Sequence, residues 1–99
     1  MILRHILVKH EYEARDIERK LELSDKVASD NSPAEVFGEL AAKFSSCGSR
    51  EVGGSLGDLT GRMNRLDEDF REAAEKLKPG ERSGPVRTKF GYHLIFREA

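Results

Sequence analysis

Cysteine occurs only once in this chain, at Cys47. No internal disulfide can form, which suits a reducing compartment or a free thiol with a function of its own. No stretch approaches the ~20 apolar residues that a membrane-spanning helix needs. The opening Met1-Ile2-Leu3-Arg4-His5 is too short an apolar run for the core of a signal peptide. These absences make the cytoplasm the expected location and leave no membrane partner. An excess of charge is also missing: 17 Lys and Arg stand against 18 Asp and Glu, with no block of five like charges. Such a chain has no general field for a polyanion, so no nucleic-acid partner is expected. Internal repeats and low-complexity segments are absent as well. What remains is 99 residues, 37% hydrophobic and 35% charged. That is one domain over residues 1–99 with a thin single core, expected to be a monomer.

The elements follow from residue pattern. Ile2 to Lys9 is β-branched and apolar, a strand by composition. Glu11 to about Ser29 is predicted helical, with Ala14, Ile17, Leu21, Ser24 and Ala28 on the buried stripe. Asp30-Asn31-Ser32 breaks it. Ser32-Pro33-Ala34-Glu35 is a capping box with proline at the first helical position. It opens a second helix whose stripe is Phe37, Leu40, Ala41 and Phe44. Ser45 to Gly61 carries five glycines and reads as a loop with a short strand around Ser55-Leu56. Asp67 to Leu77 is a third helix, acidic at its start and basic at its end, as the helix dipole favours. Pro79-Gly80 matches a type II turn. Pro85 to Thr88 and Tyr92 to Arg97 are two strands joined through Phe90-Gly91. Strands at both ends with helices between them define an α+β class, the terminal strands being neighbours at the sheet centre.

Three residues stand out chemically: His5 on the first strand, Cys47 in the loop and His93 on the last strand. Side chains of one parity share a sheet face, so His5 lies with Leu3 and Leu7, and His93 with Ile95. Each imidazole is then either a satisfied core histidine or part of a site. A Zn²⁺ site is disfavoured by their scattered spacing and the want of a fourth ligand. Gly53-x-Ser55-x-Gly57 matches a hydrolase nucleophile elbow by pattern, but that fold needs a large parallel sheet this chain cannot build.

Four blocks in order resemble the parvulin family of peptidyl-prolyl isomerases. They are His5-Ile6-Leu7-Val8-Lys9; Ser45-Ser46-Cys47-Gly48-Ser49 with Gly53-Gly54-Ser55-Leu56-Gly57; Leu77-Lys78-Pro79-Gly80-Glu81 with Ser83-Gly84-Pro85-Val86; and Thr88-Lys89-Phe90-Gly91-Tyr92-His93-Leu94-Ile95. The resemblance implies a four-stranded antiparallel sheet surrounded by helices, in the order β-α-α-(short α)-β-α-β-β. It implies an enzyme that needs no cofactor or metal and acts on proline-containing polypeptides. Carried over residue by residue, His5 and His93 match the family's paired histidines, Thr88 a hydroxyl bonded to them, and Cys47 a position that is Cys or Asp. Phe70 and Phe90 match the aromatic walls of the proline pocket.

This chain departs from the family pattern in the loop before Phe70, which is about two residues longer than usual. Leu66 stands where methionine is common, and either Leu66 or Met63 closes the pocket, the preserved spacing favouring Leu66. Ser55 replaces a common aspartate. Lys9-His10 is followed by Glu11 and Glu13 rather than an Arg cluster, and Glu51-Val52 replaces a basic pair, so no dependence on substrate phosphate is expected. The changed loop leaves a non-catalytic proline-binding or chaperone module of the same fold as the alternative.

Overall fold

Alternation of apolar side chains along both terminal segments makes a ribbon that is buried on its two faces, and the fold is built outward from it. In the computed structural model, which describes residues 1–27 and 31–99, β1 (Ile2–Val8) is followed by α1 (Glu11–Asp25) and α2 (Pro33–Phe44). Then come β2 (Ser55–Asp58), α3 (Glu68–Glu75), β3 (Val86–Thr88) and β4 (Gly91–Arg97). The sheet is antiparallel throughout with order β2-β1-β4-β3, so the terminal strands are central neighbours. Their register runs from Leu3 opposite Arg97 to Val8 opposite Tyr92.

That register sorts the side chains into two cores. Ile6, Val8, Leu94 and Phe96 face α1 and α2, packing against Ala14, Ile17, Leu21, Phe37 and Ala41. Leu3 and Ile95 face the other way, against Phe70 and Ala74 of α3 with Leu59 and Leu77. His5 and His93 share this second face by parity. Ser32 caps α2 by accepting the Glu35 N–H at 3.2 Å, and its hydroxyl donates to the Glu35 carboxylate at 3.2 Å. Glu81 N–H closes the Pro79-Gly80 turn onto the Lys78 carbonyl at 2.9 Å. Gly80 has φ +89° there, the left-handed value a type II turn demands.

The structure differs from the sequence reading at several element ends. α1 stops at Asp25, where Lys26 N–H turns back to the Leu23 carbonyl and Arg82 grips the Asp25 carboxylate at 3.1 and 2.6 Å. The expected continuation through Ala28 and Ser29, and the break at Asp30, lie outside the described residues. The expected short α-helix is a 3-10 turn over Gly48–Val52; that segment is poor in helix formers and ends on Gly53 at φ +66°. Phe44 is 45% exposed rather than part of the buried stripe. It sits in the last turn of α2, beside charged α1 side chains, with the Lys20 ammonium 5.4 Å above its ring. α3 is shorter than expected because Asp67 is its cap and not its first turn, and Leu77 reaches the core from beyond its end. No helix among the described residues is long and apolar enough to cross a membrane.

Candidate active site

Diagonal neighbours on one face of an antiparallel pair lie within reach of ring side chains. His5 stands opposite Ile95 and His93 opposite Leu7, which makes the two histidines such a diagonal pair. Their rings are nearly parallel, at 17° and 5.4 Å between centroids, and the two Nδ1 atoms meet at 3.2 Å. On its far side His93 Nε2 lies 2.7 Å from Thr88 Oγ1. That hydroxyl also accepts the Phe90 N–H at 3.2 Å. All three side chains are buried, at 6%, 5% and 8% exposure for His5, His93 and Thr88.

One of the two Nδ1 atoms carries a proton and the other accepts it, since a proton on both would set two donors face to face. Thr88 Oγ1 can either donate to or accept from His93 Nε2 while it accepts the Phe90 N–H. His5 Nε2 is buried, with no partner among the described residues. Burial, and behind it the neighbouring His93, pull the His5 imidazole from 6.5 down to about 4. Burial lowers His93 as well, against the field of Asp67, which acts in the opposite sense. Both rings are therefore neutral near pH 7.

Phe70, from α3, closes one side of this floor edge-on to both rings, at 5.6 Å from His5 and 5.1 Å from His93, each at 82°. Above it opens a cavity of about 320 Å³, lined by His5, Leu7, Cys47, Leu56, Arg65, Leu66, Asp67, Phe70, Phe90 and His93. That volume is at the small end of ligand sites, about 300–1,000 Å³. Phe90 is 63% exposed on the β3–β4 turn, a large apolar ring held in solvent beside an apolar hollow.

Cys47 reaches the cavity because its segment is stitched to the end of β1. Buried Ser45 accepts both the Leu7 N–H at 3.1 Å and the Cys47 N–H at 3.3 Å. Ser46 N–H and Oγ both donate to the Leu7 carbonyl, at 2.8 and 3.0 Å. Gly54 lets the following chain lie against the same strand: its carbonyl accepts the His5 N–H at 2.9 Å. A Cβ there would stand 2.5 Å from the His5 carbonyl oxygen at φ +77°, which no side chain tolerates.

The structure thus brings together His5, His93, Thr88, Cys47, Leu66, Phe70 and Phe90. Thr88 lies behind the floor and not in the cavity wall. Met63 and Leu66 both pack against the α3-side core, but only Leu66 also lines the cavity, where it joins Leu7 and Leu56. Leu7, Leu56, Arg65, Asp67 and Ser45 carry no signal in the sequence that marks them as site residues. Parity with His5 points to Leu7 alone; Asp67 reads only as an acidic helix start, Leu56 depends on how β2 docks on β1, and Arg65 and Ser45 depend on the path of the loops.

The cleft is small and apolar, and the paired imidazoles floor it. The chain belongs to the family of the Rotamase, PPIC-type PPIase domain, whose model matches residues 5–99. It is 40% identical over 95 residues to the foldase protein PrsA of Clostridium botulinum (strain Loch Maree / Type A3), covering 96% of this chain and 25% of that protein. The chain therefore spans about a quarter of the length of such curated relatives. Among solved structures, it resembles PrsA from Bacillus subtilis with a TM-score of 0.78 and 37% identity, covering 100% of this chain and 34% of that one. It resembles the parvulin of Nitrosopumilus maritimus with a TM-score of 0.74 and 35% identity, covering 100% and 95%.

Proposed function

We propose that the chain accelerates cis–trans rotation about Xaa-Pro bonds in polypeptides, with the cavity over His5 and His93 as the site. The observation that carries this reading is the apolar socket of Leu66, Phe70 and Phe90 standing directly on a hydrogen-bonded imidazole floor. Amide resonance sets a rotation barrier of ~18–20 kcal/mol, and the two Xaa-Pro isomers differ by only about 0.5–1 kcal/mol. A catalyst needs no bond chemistry, only tighter binding of the twisted amide than of either planar form.

The socket holds the pyrrolidine ring and strips water from the amide, which removes hydrogen bonds that favour the planar, charge-separated form. His5, His93 and Thr88 fix the floor so that the polar groups need not reorganise during rotation. Cys47, at the edge, acts on the carbonyl electrostatically: partial negative charge on its sulfur disfavours the charge-separated planar amide. No covalent attack is required. Substrate phosphate is not needed, since the segment after β1 offers Glu11 and Glu13 where a phosphate clamp would need cations.

We further read residues 1–99 as one working unit that acts as a monomer. The single cysteine supports a cytoplasmic setting. The test of the activity is exchange spectroscopy on Ala-Ala-Pro-Phe. Faster cis–trans exchange with substoichiometric protein is the expected result. Shift changes without faster exchange leave only a binding or chaperone module of the same fold.

A further inference from the structure

The cavity wall carries two ionised side chains of opposite sign, and they are not equivalent. Asp67 is committed to the fold: its Oδ1 accepts the Asp69 N–H at 3.0 Å as the cap of α3, and its charge falls on His93. Arg65 is exposed, at the end of a 3-10 turn over Met63–Arg65. Its guanidinium makes no hydrogen bond or ion pair among the described residues, although it lines the cavity. On the opposite side Lys89 places its ammonium 5.2 Å above the Phe90 ring, outside the cavity wall and equally without a carboxylate partner among the described residues. The unspent charge at the mouth is therefore positive, while the chain as a whole is nearly neutral, 17 basic against 18 acidic side chains.

We infer that Arg65 selects substrates carrying a carboxylate side chain next to the proline, reading a Glu or Asp as the ring enters the socket. A guanidinium offers paired N–H donors matched to the two oxygens of one carboxylate. Its position at the cavity mouth brings that pair within reach of the residue flanking the proline. A substrate carboxylate is steered away from Asp67 by like charge and toward Arg65. One guanidinium, with no second cation beside it in the wall, suits a monoanionic carboxylate and not a phosphate dianion. This inference rests on the proline-rotation reading above and names the substrate class of the same site.

The experiment compares exchange rates per bound peptide and kcat/KM for Ala-Glu-Pro-Phe, Ala-Gln-Pro-Phe and Ala-Lys-Pro-Phe. Glu and Gln differ in charge and little in shape, so their ratio within one protein isolates the charge. The wild-type protein is expected to favour Glu over Gln by about three- to fivefold, the size of a partly exposed ion pair. Arg65→Gln brings the ratio to about 1 and Arg65→Glu inverts it. Raising the salt from 20 mM to 500 mM collapses the wild-type ratio without any substitution. A wild-type ratio near 1 at low salt, or one that survives Arg65→Gln, overturns the inference. So does a phosphoserine peptide turned over more than tenfold faster than the Glu peptide. If none of the peptides exchanges faster, the activity reading itself has failed, which is a separate outcome from activity without charge preference.

Discussion

Acid should unfold this protein earlier than its carboxylates alone would allow, because its histidines are buried neutral. His5 titrates at 6.5 when unfolded and at about 4 when folded. Above pH 6.5 neither state binds that proton, and the buried imidazole is fully stabilised in its neutral form. As pH falls below 6.5 the unfolded chain takes up a proton that the folded chain refuses, so stability drops. The drop continues until about pH 4, where both states are protonated. At ~1.4 kcal/mol per pH unit, the gap from 6.5 to 4 is worth roughly 3 kcal/mol. His93, lowered by the same burial, adds in the same direction. The acidic side chains with depressed values work in a different window: Asp16, Asp25 and Asp58 stay ionised in both states above about 4 and cost stability only below it. Between pH 6.5 and 4.5 the slope therefore belongs to the histidines. Urea unfolding followed by circular dichroism at pH 7.5, 6.5, 5.5 and 4.5 measures it directly. His5→Gln, whose amide can still meet His93 Nδ1, lowers stability at neutral pH but should flatten most of the slope. A wild-type stability constant to within about 0.5 kcal/mol over that range, or a variant with an undiminished slope, refutes the argument.

Other expectations follow from single contacts. Thr88→Val removes the hydroxyl that meets His93 Nε2 and the Phe90 N–H. It should cost about 1–3 kcal/mol and lower the exchange rate, with Thr88→Ser restoring both. Ser45→Ala strands the Leu7 and Cys47 amides and should lower stability by a similar energy, read as an earlier midpoint in urea. Gly54→Ala should cost more than Gly80→Ala by over 1 kcal/mol, since both sit at positive φ but only Gly54 also meets a backbone oxygen at 2.5 Å. Equal melting shifts would remove the collision from the account. Phe90→Ala should leave the melting temperature within a few degrees, the ring being 63% exposed, while KM for Ala-Ala-Pro-Phe rises several-fold.

Much of this arrangement was legible before any coordinates. Ser32 and Glu35 announce a helix start because the cap chemistry is local, and Pro79-Gly80 announces a turn for the same reason. The placement of His5 and His93 on one face follows from strand parity once the terminal strands are neighbours. Features set by distant contacts were not legible. Phe44 repeats at helical spacing with Ala41, yet its ring meets charged α1 side chains, Lys20 among them, and stays half exposed. α1 ends where Arg82, far along the chain, holds Asp25. The choice between Leu66 and Met63 turns on a loop whose course is fixed by Leu59 N–H bonding to the Met1 carbonyl at 2.8 Å and Arg62 N–H to Leu59 at 2.8 Å. Ser45 looks like any polar residue after a helix until its two amide donors are seen.

The two imidazoles of the floor are separated by 88 positions in sequence and come from the first and last strands. No fragment lacking either strand can hold the pair, so the cleft has no partial form during synthesis or refolding. The proposed proline-rotation activity should appear in the same kinetic phase as the sheet and so report completed folding.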